Sequence, residues 1–100
     1  MTAAAARFVV TPDHPALPGH FPGLPVVPGV VVLDHVVEAA ERLVGGRSLR
    51  GLPQAKFPSS LAPGVEAEIA LEPRGDEVRF VVTAAGTTIA QGVLAFGAPA

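Results

Sequence analysis

Cysteine is absent from these 100 residues, which excludes a disulfide framework, a thiolate nucleophile and a cysteine zinc site. That absence fits a reducing cytoplasm. Charge of either sign is scarce: seven basic residues stand against nine acidic, for a formal net charge of −2. Neither the basic patch of a nucleic-acid binder nor the polybasic face of a membrane-surface binder is present. Long apolar runs are missing too, since Pro28-Gly29 breaks the longest before it reaches the length of a membrane span. Met1 to Ala6 lacks both a charged leader and a long apolar segment, so it is expected to be a frayed start rather than a signal peptide. Together these absences point to a cytoplasmic protein with no membrane and no nucleic acid among its partners.

What remains is a chain long enough for one domain, 1–100. Its composition is 49% hydrophobic, much of that small Ala and Val. So apolar a surface on so small a chain is expected to be hidden partly in an oligomer interface. One run organises the rest: Gly19-His20-Phe21-Pro22-Gly23-Leu24-Pro25-Val26-Val27-Pro28-Gly29-Val30-Val31-Val32-Leu33-Asp34-His35. Its first half is a loop stiffened by Pro22, Pro25 and Pro28 and freed locally by glycine. From about Gly29 a helix is expected to run to Val44, closed by Gly45-Gly46 with Arg42 in its last turn. The first turn is apolar on every side, which predicts an enclosed start and a wet far end. The stretch thus supplies a histidine in a rigid loop, a helix N-terminus and an acid one turn inside it. Those are the parts needed to move a proton beside a polarised carbonyl.

Strand patterns surround this core. Arg7 to Thr11 is a short β-type run closed by Pro12-Asp13. Leu49 to Phe57 reads as a strand bulged near Pro53. Val65 to Glu72 alternates cleanly, with Glu66, Glu68 and Glu72 on a solvated face. Glu77 to Ala84 places Val78, Phe80 and Val82 together, and Thr87 to Phe96 completes a meander. One helix followed by three or four strands gives the α+β class: a curved antiparallel sheet wrapped around a central helix.

The motif Gly19-His20-Phe21-Pro22-Gly23, then Pro25, Pro28-Gly29-Val30 and Asp34 resembles the hot-dog-fold 3-hydroxyacyl-[acyl-carrier-protein] dehydratases of fatty-acid synthesis. Ala55-Lys56-Phe57 followed by Pro63-Gly64 is similar to the strand and turn after that family's helix. The resemblance covers roughly residues 12–96 and implies a hot-dog fold and a homodimer, with a heterodimer as the alternative. It also implies an acyl carrier protein as partner and no cofactor. By the same resemblance His20 would remove the α-proton, and the Gly29 N–H would face the thioester oxygen. Asp34 would reach the substrate from the neighbouring subunit and help the β-hydroxyl leave. Phe21, Pro28, Val30 and Glu38 would line the substrate. Three features depart from the family pattern: an Asp rather than a Glu at 34, a Glu at 38 where Gln is common, and a short start. The compact form looks most like the dehydratases of aryl-polyene gene clusters.

Other assignments compete with these. His14, His20, Asp34 and His35 lack the tight, face-matched spacing of a metal site, so no metal is expected. His14 reads as a turn residue, and His35 as a structural or interface residue, about 100° around the helix from Asp34. Lys56, Arg42, Arg47 and Arg50 form either a basic rim for an acidic carrier protein or ordinary surface charge. A hot-dog thioesterase, which needs no His20, and a non-catalytic subunit that pairs with an active homologue are the two alternative functions.

Overall fold

Alternation between Ala67 and Ala84 builds the middle of the molecule. In the computed structural model, which describes residues 4–14 and 26–99, strands β1 (Ala4–Phe8), β2 (Arg47–Lys56), β3 (Ala67–Arg74), β4 (Glu77–Ala84) and β5 (Thr87–Pro99) surround helix α1 (Gly29–Val44). All neighbouring strands are antiparallel, in the order β1-β3-β4-β5-β2. On one face Ala67, Ile69 and Leu71 lie beside Val78, Phe80 and Val82, all buried. The register pairs Ile69 with Val82 and Leu71 with Phe80. Each of the larger side chains contributes about 1.5–3 kcal/mol by leaving water. The opposite face is charged, as period-two patterning requires. In β5 the alternation slips once: a register shift between Val82 and Thr83 lets consecutive Ile89 and Ala90 both be buried.

Helix α1 lies against this apolar face. Val31, Val32, Val36, Ala39 and Ala40 form its buried stripe, at the i, i+4, i+8 spacing of one helical side. Five such residues, with valine a poor helix former, are held by packing rather than by propensity. Gly45, at φ 47°, ends the helix and donates its N–H to the Glu41 carbonyl at 3.0 Å. This is the expected α+β hot-dog arrangement of one helix enfolded by a curved sheet.

Four details differ from the sequence reading. Strand β1 starts at Ala4, not Arg7: Ala4–Ala6 pair with Leu71–Ile69, so these residues, expected to fray, are laddered through a backbone that needs no side-chain signal. Strand β3 starts two residues later than expected, at Ala67. The turn before it is fixed at Gly64 (φ 85°), whose N–H bonds the Val10 carbonyl at 2.8 Å, and Val65 and Glu66 are spent leaving that turn. Strand β2 is irregular over a longer stretch than Pro53 alone, with register shifts from Arg47 to Gln54. It is an edge strand, where a proline lacking an N–H is tolerated. Finally, the first turn of α1 is not enclosed: Val30 is 64% exposed, because the sheet of one chain covers only one side of the helix.

Candidate functional site

The tip of α1 is held by two contacts distant in sequence. Buried Val27 donates its N–H to the carbonyl of buried Leu61 at 2.9 Å, which fixes the entry to the helix. The Phe57 ring, just beyond β2, lies against Gly29: a Cβ there would stand 3.1 and 3.2 Å from two ring carbons. Only a residue without a side chain fits under the ring as it stands. Pro28 occupies the N-cap with φ −60° and ψ 144°, and makes no side-chain cap. Its carbonyl accepts from Val31 at 3.0 Å and Val32 at 3.3 Å. Among the described residues nothing accepts from the N–H groups of Gly29 and Val30, and the first turn carries no acid. An uncapped helix start of this kind presents partial positive charge and free donors.

Asp34 lies one turn further along, and its side chain is exposed. The all-apolar first turn predicted an enclosed start, but it does not enclose Asp34. Val31 and Val32 turn into the core and Leu33 is half-buried. The row that does include Asp34 is Val30, Asp34, Glu38 and Arg42, each four residues from the next. Glu38 accepts from Arg42 at 2.8 Å. Gly29, Pro28, Val30, Asp34 and Glu38 are therefore gathered on the first two and a half turns of one helix, whereas His20 and Phe21 lie outside the described residues.

The remaining candidates separate from this group. His35 stacks flat on Phe8 of β1, with ring centroids 4.2 Å apart and an interplanar angle of 8°, which is a packing contact. His14 closes a turn, its N–H bonded to the Thr11 carbonyl at 3.0 Å. The four cations considered as a basic rim fall into two classes. Arg42 is committed to Glu38, and Arg47 to Asp76 and the Gly97 carbonyl. Arg50 and Lys56 of β2 have no ion-pair partner among the described residues. Arg7 pairs with Glu66 and Glu68, and Arg74 with Glu72, so the acidic sheet face is a solvated, partly neutralised surface.

Two features mark the Gly29–Phe57 side as open. Strand β2 is a sheet edge, with unpaired backbone groups along its outer side. Leu49, Leu52, Phe57 and Val30 are exposed large hydrophobics on or beside it. Two surface hollows, of about 370 Å³ on the outer sheet face and about 480 Å³ between β1 and the far end of α1, are lined by none of Gly29, Val30 or Asp34. Phe57 was not recognised from sequence as part of the site. The clue was Gly29 itself, a helix-start glycine that no positive φ requires.

Comparison with known proteins shows what the chain is similar to. Residues 1–93 match the ApeI-like family, described as ApeI dehydratase. The chain is 31% identical over 109 residues to 3-hydroxyacyl-[acyl-carrier-protein] dehydratase FabZ of Chlamydia trachomatis, covering 94% of this chain and 71% of the relative. It is 36% identical over 81 residues to FabZ of Thiobacillus denitrificans, covering 66% of this chain and 56% of the relative. Its fold matches a chain of the dehydratase heterocomplex ApeI:P from Xenorhabdus doucetiae with a TM-score of 0.80 and 26% identity, over 94% of this chain and 86% of the other. An uncharacterized protein from Erwinia carotovora subsp. atroseptica shares the fold, with a TM-score of 0.77 at 24% identity over 93% and 81%.

Proposed function

Because the chain belongs to the ApeI-like dehydratase family, we propose that it removes water from (3R)-3-hydroxyacyl thioesters carried on an acyl carrier protein, giving trans-2-enoyl thioesters in fatty-acid or aryl-polyene synthesis. The neutral imidazole of His20 takes the α-proton, and the electron pair moves toward the thioester carbonyl. The negative charge developing on that oxygen is met by the Gly29 N–H at the helix tip, where donors fixed in advance stabilise charge most effectively. As the enolate collapses, the β-carbon–oxygen bond breaks. The Asp34 carboxyl supplies the proton, so hydroxide leaves as water. The proton held by His20 is then released through solvent and the Asp34 carboxylate takes one up, which restores both groups, and no cofactor is consumed.

The observation that carries this reading is the uncapped, acid-free tip of α1 at Gly29 with an acid one turn inside it, on the helix that follows the Gly19–Gly23 motif. Asp34 is exposed on α1, which supports its serving the site of a neighbouring subunit in a dimer. Pro28 and Val30, with Phe21 and Glu38, would line the acyl chain. Of the four cations weighed as a basic rim, Arg50 and Lys56 are free to meet an acidic carrier protein.

The test is turnover of 3-hydroxyacyl thioesters of several lengths, read by enoyl absorbance, for the wild type, His20→Ala and Asp34→Asn. Loss in both variants with fold and assembly intact is expected. Hydrolysis of the thioester that survives His20→Ala would instead favour a thioesterase. A second reading, an obligate heterodimer, is favoured by the fold match to a chain of the ApeI:P heterocomplex. Its mark would be an isolated chain silent at every length that becomes active on mixing with a second dehydratase-like subunit.

A further inference from the structure

Of the seven basic residues, Arg7, Arg42, Arg47 and Arg74 are each held by a carboxylate. The other three, Arg50, Lys56 and Arg79, are exposed and make no ion pair among the described residues. They also share one half of the outer sheet face. Alternation from buried Val78 and Phe80 turns Arg79 and Val81 outward. The register continues these two rows across the sheet, as Arg79-Val93-Gln54 and Val81-Gln91-Lys56. Gly97 follows buried Phe96, so a Cβ there would also point outward, and the Arg50 stem lies 3.3 Å from that position. On the β1-β3 half, by contrast, Glu66, Glu68 and Glu72 are met by Arg7 and Arg74. Glu72 stands opposite Arg79 in the register yet bonds Arg74 at 3.3 Å, which leaves the Arg79 guanidinium available. Glu77, the acid of the β4-β5-β2 half, lies at the turn, opposite Arg74. Arg79, Gln54, Gln91, Val81 and Val93 help to line the hollow of about 370 Å³ on this face. Valines at the centre with amides and cations around them make a polar-rimmed patch, and the guanidinium and amide N–H groups are donors suited to a carboxylate.

We propose that the β4-β5-β2 half of the outer sheet face is where the acidic carrier protein docks. Arg79 and the two amides of the hollow receive one of its acidic side chains, and Lys56 and Arg50 meet others. The inference rests on the reading of a carrier protein as the partner and adds the surface it uses. Charge complementarity carries it: a chain of net charge −2 gathers on one patch the cations that its own acids leave unpaired. The spacing fits one helix of a partner. Arg79 and Lys56 stand two strands and two residues apart, about 12 Å between backbones, close to the rise of two helical turns, about 11 Å. The position fits delivery as well. Lys56 immediately precedes Phe57, whose ring abuts Gly29, so a carrier seated here holds its thioester arm beside the helix tip.

The test is the ratio of two KM values in the full chain: one for a 3-hydroxyacyl carrier protein, the other for the same acyl group on N-acetylcysteamine. Arg79→Gln is expected to raise this ratio about two- to fivefold, the size of one exposed ionic contact. Lys56→Glu/Arg79→Glu should raise it about tenfold or more, since attraction becomes repulsion, and added salt should shrink both effects. Arg7→Gln removes the same charge from the other half of the face and is expected to leave the ratio alone. An unchanged ratio in the double variant would overturn the inference. An equal rise in Arg7→Gln would overturn it too, because net charge rather than a surface would be responsible. So would sedimentation in which the double variant alone loses an assembly that the wild type forms, since the face would then pack against a second copy. Binding of the unacylated holo carrier protein, followed by NMR of the Gln54 and Gln91 side-chain amides, needs no turnover. Shifts at these amides in a chain that dehydrates nothing would leave the docking surface standing while the proposed activity fails.

Discussion

Among the described glycines, Gly92 is the position at which one methyl group should do the most damage. It lies in β5 opposite Phe80 of β4 and beside Ala55 of β2. A Cβ built there overlaps the Gln54 carbonyl oxygen and approaches the Gln54 carbonyl carbon and a Phe80 ring carbon at 2.9 Å each. Two of these three atoms are backbone, so no rotamer change relieves the clash. Strand β2 must be pushed off β5. Overpacking costs about 1–3 kcal/mol. Losing one or two ladder hydrogen bonds costs about 0.5–1.5 kcal/mol each, so Gly92→Ala is expected to lose about 2–5 kcal/mol. At about 4–8 °C per kcal/mol for a domain of this size, thermal unfolding should fall by at least about 8 °C. Amide exchange in β2 should accelerate more than in β3. Since β2 delivers Phe57 to Gly29, any folded fraction should also turn over poorly. A midpoint within about 2 °C of the parent, the range of neutral surface changes, would refute the packing described at this strand pair.

Two further outcomes follow from local contacts. Gly29→Ala places a methyl 3.1–3.2 Å from the Phe57 ring. That ring is 45% exposed and can swing out, and alanine favours the helix, so denaturant unfolding should change by no more than about 1 kcal/mol while turnover drops. A large loss of stability would mean the ring is fixed. At Asp13, hydrogen bonding from the Thr11 side chain, then from backbone, holds the carboxyl below its ordinary 3.8. A depressed folded value stabilises the ionised turn above the unfolded value, and that benefit is lost as pH falls through the folded one. In Thr11→Ala the NMR titration midpoint of Asp13 should rise; an unchanged midpoint would contradict the contact.

The parts of the fold that short-range chemistry dictates were readable in advance. Pro28-Gly29 and Gly45-Gly46 bracket α1, and Gly75-Asp76 with Ala85-Gly86 bound β4, because turn and cap residues act within a few positions. Ala4–Ala6 gave no such signal, since alanine pairs in a strand through its backbone alone. The offset of β3 depended on Gly64 meeting Val10, a contact spanning most of the chain. At the site, Gly29 and Asp34 fall on the helix where their spacing put them. The exposure of Val30 and Asp34 was not readable: an all-apolar turn looks the same whether its own sheet or a second chain covers it. Phe57 was hidden for a related reason, as its contact with Gly29 bridges the whole of α1 and β2.

The central claim is that a dehydratase site is shared between subunits, and mixing two inactive variants tests it most directly. His20→Ala and Asp34→Asn are unfolded together, refolded as a mixture and assayed for enoyl formation. In a two-fold dimer, half of the random assemblies pair the two variants, and each of those restores one site of two. About one quarter of wild-type turnover is therefore expected. A mixture as silent as its components, beside an active wild type, would contradict a site built from His20 of one chain and Asp34 of the other.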